Sequence, residues 1–169
     1  REYVLLEKRS VDFVRKVFSA MAALAVFSAM TAASASVPDA EVSIGGVPYG
    51  ASMDYVRSIY GAPAKVSTTS RHPLWRGQVD TYHYGTTMDV VFCNAAMVHA
   101  DCKGNNGWGT PAGITVGMSK ETVLRLYGEP DSQGKGSFFY QSESNGNLGI
   151  KFLFNGAGKI TSIHVGAFD

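Results

Sequence analysis

The chain has 169 residues, 45% of them hydrophobic, and its 15 basic and 14 acidic residues leave a formal charge of +1. So close a balance offers no basic field for nucleic acid or anionic lipid. For metal or nucleophilic chemistry it has two cysteines, Cys93 and Cys102, and four scattered histidines, His72, His83, His99 and His164.

The N-terminal fifth reads as processing sequence. Residues 1–13 carry mixed charge ahead of any targeting signal, and Val14-Arg15-Lys16-Val17 looks like a bacterial start read from a GTG codon. That stretch is taken as upstream, non-native translation. Residues 14–35 have the layout of a secretory signal peptide: basic Arg15 and Lys16, an apolar run Val17–Met30, and the small-x-small site Ala33-Ser34-Ala35. A membrane span needs about 20 apolar residues, and this run is shorter and Ser/Thr-punctuated. Cleavage after Ala35 leaves a protein with no membrane span. No cysteine follows the site, so the product is expected to be exported, periplasmic or extracellular, and not lipid-anchored.

Two stretches then repeat one pattern. Gly46–Pro63 and Gly113–Pro130 align at a constant spacing from first glycine to last proline, the signature of a duplicated unit. Residues 36–103 are the first repeat, 104–110 a linker and 111–169 the second. In each, a serine (Ser52, Ser119) stands where an N-cap belongs. Ala51/Val56 and Met118/Val123 occupy hydrophobic-staple positions. Gly61 and Gly128 stand at C′, followed by Pro63 and Pro130. These signals predict helices over Met53–Tyr60 and Lys120–Tyr127, too short to stand alone. Alternating segments predict strands at Val79–Gly85, Thr87–Cys93, Ala96–Lys103, Ser137–Ser142, Leu148–Asn155 and Lys159–Gly166. The expected fold class is therefore α+β: two tandem repeats, each a short helical layer packed on a three- to four-stranded antiparallel sheet. The hairpin-like run Val90–Cys102 brings Cys93 and Cys102 close, and an even count in an exported chain predicts a disulfide. A metal site around Cys102, His99 and Asp101 lacks the paired ligand spacing of zinc sites, and no metal or cofactor is expected.

The pattern Gly-Ile-x-x-Gly-x-Ser-x-x-x-Val-x-x-x-Tyr-Gly-x-Pro at Gly113–Pro130, with its looser copy at Gly46–Pro63, resembles the BamE-like (SmpA/OmlA) domain. In tandem it is similar in architecture to the beta-lactamase inhibitory protein family. The resemblance implies a helix layer on an antiparallel sheet. Its single-copy members are lipoproteins of outer-membrane assembly, and its tandem member is a secreted inhibitor.

Enzyme motifs fail. Gly128–Ser137 superficially suggests a phosphate loop, but its spacing is one residue too long, Gly136 replaces the needed Ser/Thr, and it follows a helix. A hydrolase using Cys93 with His99 or His83 is the remaining catalytic alternative. The main expectation is a non-enzymatic module that binds a protein partner through the sheet face opposite the helices. Val91, Phe139 and Leu153 lie on that face, and Trp75 and Trp108 rim it. Aromatic residues on such a surface are characteristic anchors. The competing readings are inhibition of an enzyme by the secreted protein, and packing of these side chains at the seam between repeats.

Overall fold

The computed structural model describes residues 36–168; the upstream segment 1–13 and the signal peptide 14–35 lie outside the described residues. Each helix is fixed by its ends. Helix α1 (Met53–Tyr60) begins where Ser52 Oγ accepts the Tyr55 N–H at 3.2 Å, and α2 (Lys120–Tyr127) where Ser119 Oγ accepts the Thr122 N–H at 3.3 Å. Both stop at a glycine with φ of 74° (Gly61, Gly128), a left-handed conformation that glycine adopts without Cβ strain. Two further bonds lock these exits: the Tyr84 hydroxyl donates to Gly61 O at 3.2 Å and the Tyr140 hydroxyl to Gly128 O at 2.9 Å.

The strands are β1 (Ser43–Ile44), β2 (Val47–Pro48), β3 (Lys65–Thr69), β4 (Val79–Tyr84), β5 (Met88–Cys93), β6 (Ala96–Cys102), β7 (Ser132–Gly134), β8 (Ser137–Gln141), β9 (Leu148–Phe154) and β10 (Ile160–Ala167). Strands β1 and β2 form a small ribbon. The other eight make one antiparallel sheet in the order β3-β4-β5-β6-β10-β9-β8-β7. Alternation puts Tyr82, Met88, Val90, Phe92, Ala100, Ile163, Val165, Ile150, Phe152, Phe138 and Tyr140 on one face, and all are buried. Val56 of α1 and Val123 of α2 complete the same core. Full burial of each such side chain contributes about 1.5–3 kcal/mol. Tyr127 packs on Tyr140 and Phe152, with ring centroids 5.3 and 5.9 Å away.

This architecture corrects the expected fold class. The molecule is mainly β, not an α+β pair of helix-on-sheet repeats. The last strand of the first half, β6, pairs directly with β10, the last of the second: Ile163 faces Cys102, His164 faces Asp101, and Gly166 faces His99. One continuous sheet results, with two eight-residue helices as its cover.

The expected disulfide is also corrected: Cys93 and Cys102 are free thiols. Cys93 pairs with Ala96 beside the turn at Asn94-Ala95, whereas Cys102 pairs with Met88 at the far end of the same hairpin. At about 3.3 Å per residue the two ends lie roughly 16 Å apart, beyond the ~7 Å reach of a bridge. The Cys93 thiol donates to Arg76 O, and the Cys102 thiol faces Gly104 O and Asn106 Oδ1, at 3.4 Å in each case.

Candidate functional site: the open face of the sheet

The register aligns one residue from each of seven strands, polar in all but the last, in a row across the face away from the helices. The row runs Lys65 (β3), His83 (β4), Asp89 (β5), Asp101 (β6), His164 (β10), Lys151 (β9), Phe139 (β8). Each is the immediate sequence neighbour of a helix-side residue, or lies opposite one that is. Period-two alternation therefore places it on the opposite surface.

Asp89 and Asp101 stand directly opposite one another on β5 and β6. Like charges so placed repel, and each carboxylate has its own set of donors. Asp89 Oδ1 is 2.7 Å from His83 Nδ1, its Oδ2 is 3.5 Å from Lys103 Nζ, and His83 Nε2 is 3.0 Å from Ser67 Oγ. Asp101 Oδ1 instead faces two histidines, His99 Nε2 at 3.0 Å and His164 Nδ1. The far nitrogens of these rings are also held: His99 Nδ1 is 3.2 Å from Ala167 O, and His164 Nε2 is 2.9 Å from Ser162 Oγ. Burial pushes the Asp101 carboxyl up, but hydrogen bonds from His164 and His99 and their charge outweigh it and hold the group well below the usual carboxylate range.

Ser67–His83–Asp89 and Ser162–His164–Asp101 thus both have the connectivity of a hydrolytic triad. Both serines sit within strands, not at a turn or helix N-terminus where oxyanion donors converge. Cys93 pairs with neither histidine in the manner expected of a hydrolase: the nitrogens of His83 are engaged with Asp89 and Ser67, and those of His99 with Asp101 and Ala167.

Aromatic rings border the His–Asp cluster. Trp75 stacks on His72 at 4.3 Å and lies 6.2 Å from His99. Phe168 meets His99 edge-on at 5.3 Å and Phe139 at 5.1 Å. Beside them Ser137, Phe139, Lys151 and Phe168 line an open hollow of about 310 Å³. Phe139 lies over Gly149, where an added Cβ would come within 2.9 Å of its ring.

Of the five residues expected to bind a partner, Trp75, Phe139 and Leu153 are half-buried, and Phe139 and Leu153 belong to the open face. Val91 is buried. Trp108 is a correction: it stacks on Tyr60 at 3.8 Å and sits with Tyr84 in the core, on the helix side. Gly45 allows this packing, since a Cβ there would lie 2.6 Å from the indole. Sequence reading missed Phe168 and the meeting of His99, Asp101 and His164. The alternation of β6 and β10 signalled their face but not that these strands are partners.

No family model and no curated protein matches the sequence, so the BamE-like resemblance finds no relative there. Solved structures do share the fold. One is an extracellular protein containing an SCP domain from Bacillus anthracis, with TM-score 0.50 and 12% identity over 72% of this chain and 44% of that one. Another is a cysteine-rich secretory protein from Staphylococcus aureus, with TM-score 0.51 and 13% identity over 78% of this chain and 48% of that one. The chain spans about half the length of these two proteins. A candidate beta-lactamase inhibitor protein from Streptococcus mutans aligns with TM-score 0.33 and 14% identity, over 76% of this chain and 88% of that one. For the first two of these the likeness is one of fold. Among the described residues no helix is long and apolar enough to cross a membrane.

Proposed function

We propose that the chain is an exported, non-enzymatic module that binds another protein through the open face of its sheet. The observation carrying this reading is the division of the two faces. Both helices pack on one side, and the other presents a row of paired charges bordered by Trp75, Phe139, Leu153 and Phe168. Rigid aromatic anchors beside charged groups are the make-up of interface hot spots, and a strand-built surface holds them in fixed register. Export rests on the signal-peptide pattern of residues 14–35.

A photo-crosslinking side chain placed at Leu153 tests this. The same probe at Leu126, exposed on α2, is the control. In the exporting cell and its medium, Leu153 should capture one discrete protein adduct and Leu126 none. Equal capture at both, or none at either, would defeat the reading. Inhibition of a secreted enzyme is one form such binding takes, and the captured partner's activity with and without the module decides it.

A further inference from the structure

We propose that His99, His164 and Asp101 form a binding site for a divalent transition-metal ion of the zinc class. This goes beyond the protein-binding reading and does not rest on it. Among the described residues these three side chains offer one ligand atom each, all within 4.8 Å of one another. Zinc bonds to histidine nitrogen and carboxylate oxygen are about 2.0–2.2 Å, so tetrahedral ligand atoms stand roughly 3.3 Å apart. The 3.0 Å between His99 Nε2 and Asp101 Oδ1 is already near that spacing, and small side-chain rotations open the rest. Two imidazoles and one carboxylate suit zinc and its neighbours better than calcium or magnesium, which prefer all-oxygen shells.

The outer contacts are those a metal site needs. Metal-binding histidines donate their far N–H to a carbonyl, carboxylate or water, which fixes the ring and leaves the near nitrogen free to coordinate. Ala167 O does this for His99 Nδ1, and Ser162 Oγ stands in the same relation to His164 Nε2. The field points the same way. Asp101 lies opposite Asp89, whose charge is balanced by His83 and Lys103. Asp101 has no lysine or arginine ion pair of its own among the described residues, only the two histidines. A cation between them would satisfy it while the rings stay neutral. Lys151, opposite His164 on β9, is the one ammonium neighbour in the row that works against it. The three side chains are 15–22% exposed, so an ion can enter without unfolding and keep an outward coordination position. The ligands come from β6 and β10, so the ion would pin the seam where the halves join.

The test uses the full exported protein, tag-free and stripped of metal, titrated with Zn²⁺ alone in competition with a chromogenic chelator. One Zn²⁺ per chain should bind at about micromolar Kd or tighter and raise the melting temperature. His164→Ala and His99→Gln should each weaken binding at least ~10-fold, and Ser162→Ala should do so through its outer contact. His83→Gln, in the neighbouring pair, should leave it unchanged. The proposal is overturned if the wild-type protein shows no 1:1 binding, if both histidine variants bind as the wild type does, or if His83→Gln loses as much as His164→Ala. Should the histidine variants fail to fold, Co²⁺ added to the wild-type protein decides. Strong visible bands at one equivalent support low-coordinate nitrogen–oxygen ligation, and the weak spectrum of hydrated Co²⁺ overturns it.

Discussion

Phe138, Phe152, Ile163, Cys102 and Met88 cross five adjacent strands in one line, all essentially sealed from solvent. One residue away along each strand lie Phe139, Lys151, His164, Asp101 and Asp89, half-buried and mostly ionisable. The first row is held by contact area, and its members need only the right volume. The second has no core to join, so its polar groups are satisfied along the surface, strand to strand, and their identity matters more than their size. The same pleat thus yields a shape-determined face and a chemistry-determined face.

The sharpest way to break that comparison is to cut one residue from each face. Phe152→Ala should cost about 3–5 kcal/mol in urea unfolding, whereas Leu153→Ala, the next residue on the other face, should cost about 1 kcal/mol. Equal losses would show that the open face is as much core as its counterpart. Gly149→Ala should come next, at about 2 kcal/mol or more. Its Cβ would stand 2.1 Å from Tyr140 O on β8, a backbone atom that cannot swing aside.

Alkali acts on the helix side. Burial pushes the phenols of Tyr127 and Tyr140 above their ordinary range, and nearby carboxylates add to it. Groups whose pKa is raised on folding contribute stability that is complete below about pH 10, the unfolded value, and is lost as the pH rises beyond it. Thermal melts should show that decline, and Tyr140→Phe should lessen it. The same variant should cost about 1 kcal/mol at neutral pH through the bond lost to Gly128 O. The smallest effect belongs to the thiols. Cys93→Ser should shift stability by less than about 1 kcal/mol. A thiol reagent should modify one cysteine in the native protein and two after unfolding, because Cys102 is buried and burial pushes its thiol up.

The helix limits were legible because caps are local: Ser52 to Gly61 and Ser119 to Gly128 carry both caps of each helix within ten residues. Strand faces were legible for the same reason, since alternation needs no partner. Edge strands β3 and β7 escaped notice because Lys65–Thr69 and Ser132–Gly134 have little apolar alternation and are mostly exposed. Pairing between distant strands is decided by the packing of the whole, so nothing near His99 announced that His164 would stand beside it. His83 and His99 were the candidate bases for Cys93; instead each faces a carboxylate, Asp89 and Asp101 respectively. Trp108 misled for a related reason. It lies in a glycine-rich loop that reads as surface, yet Gly45 leaves the gap that its indole fills.

Strand β10 lies between β6 and β9, with four strands on one side of it and three on the other, yet it is the last strand in sequence order. As the chain is synthesised, the first four strands of the large sheet emerge with the inner edge of β6 unpaired, and three more follow without a central partner. The sheet cannot close until residues 160–167 are made. A chain so wired gains its full rigidity in one late step, when its last strand fills the gap between β6 and β9.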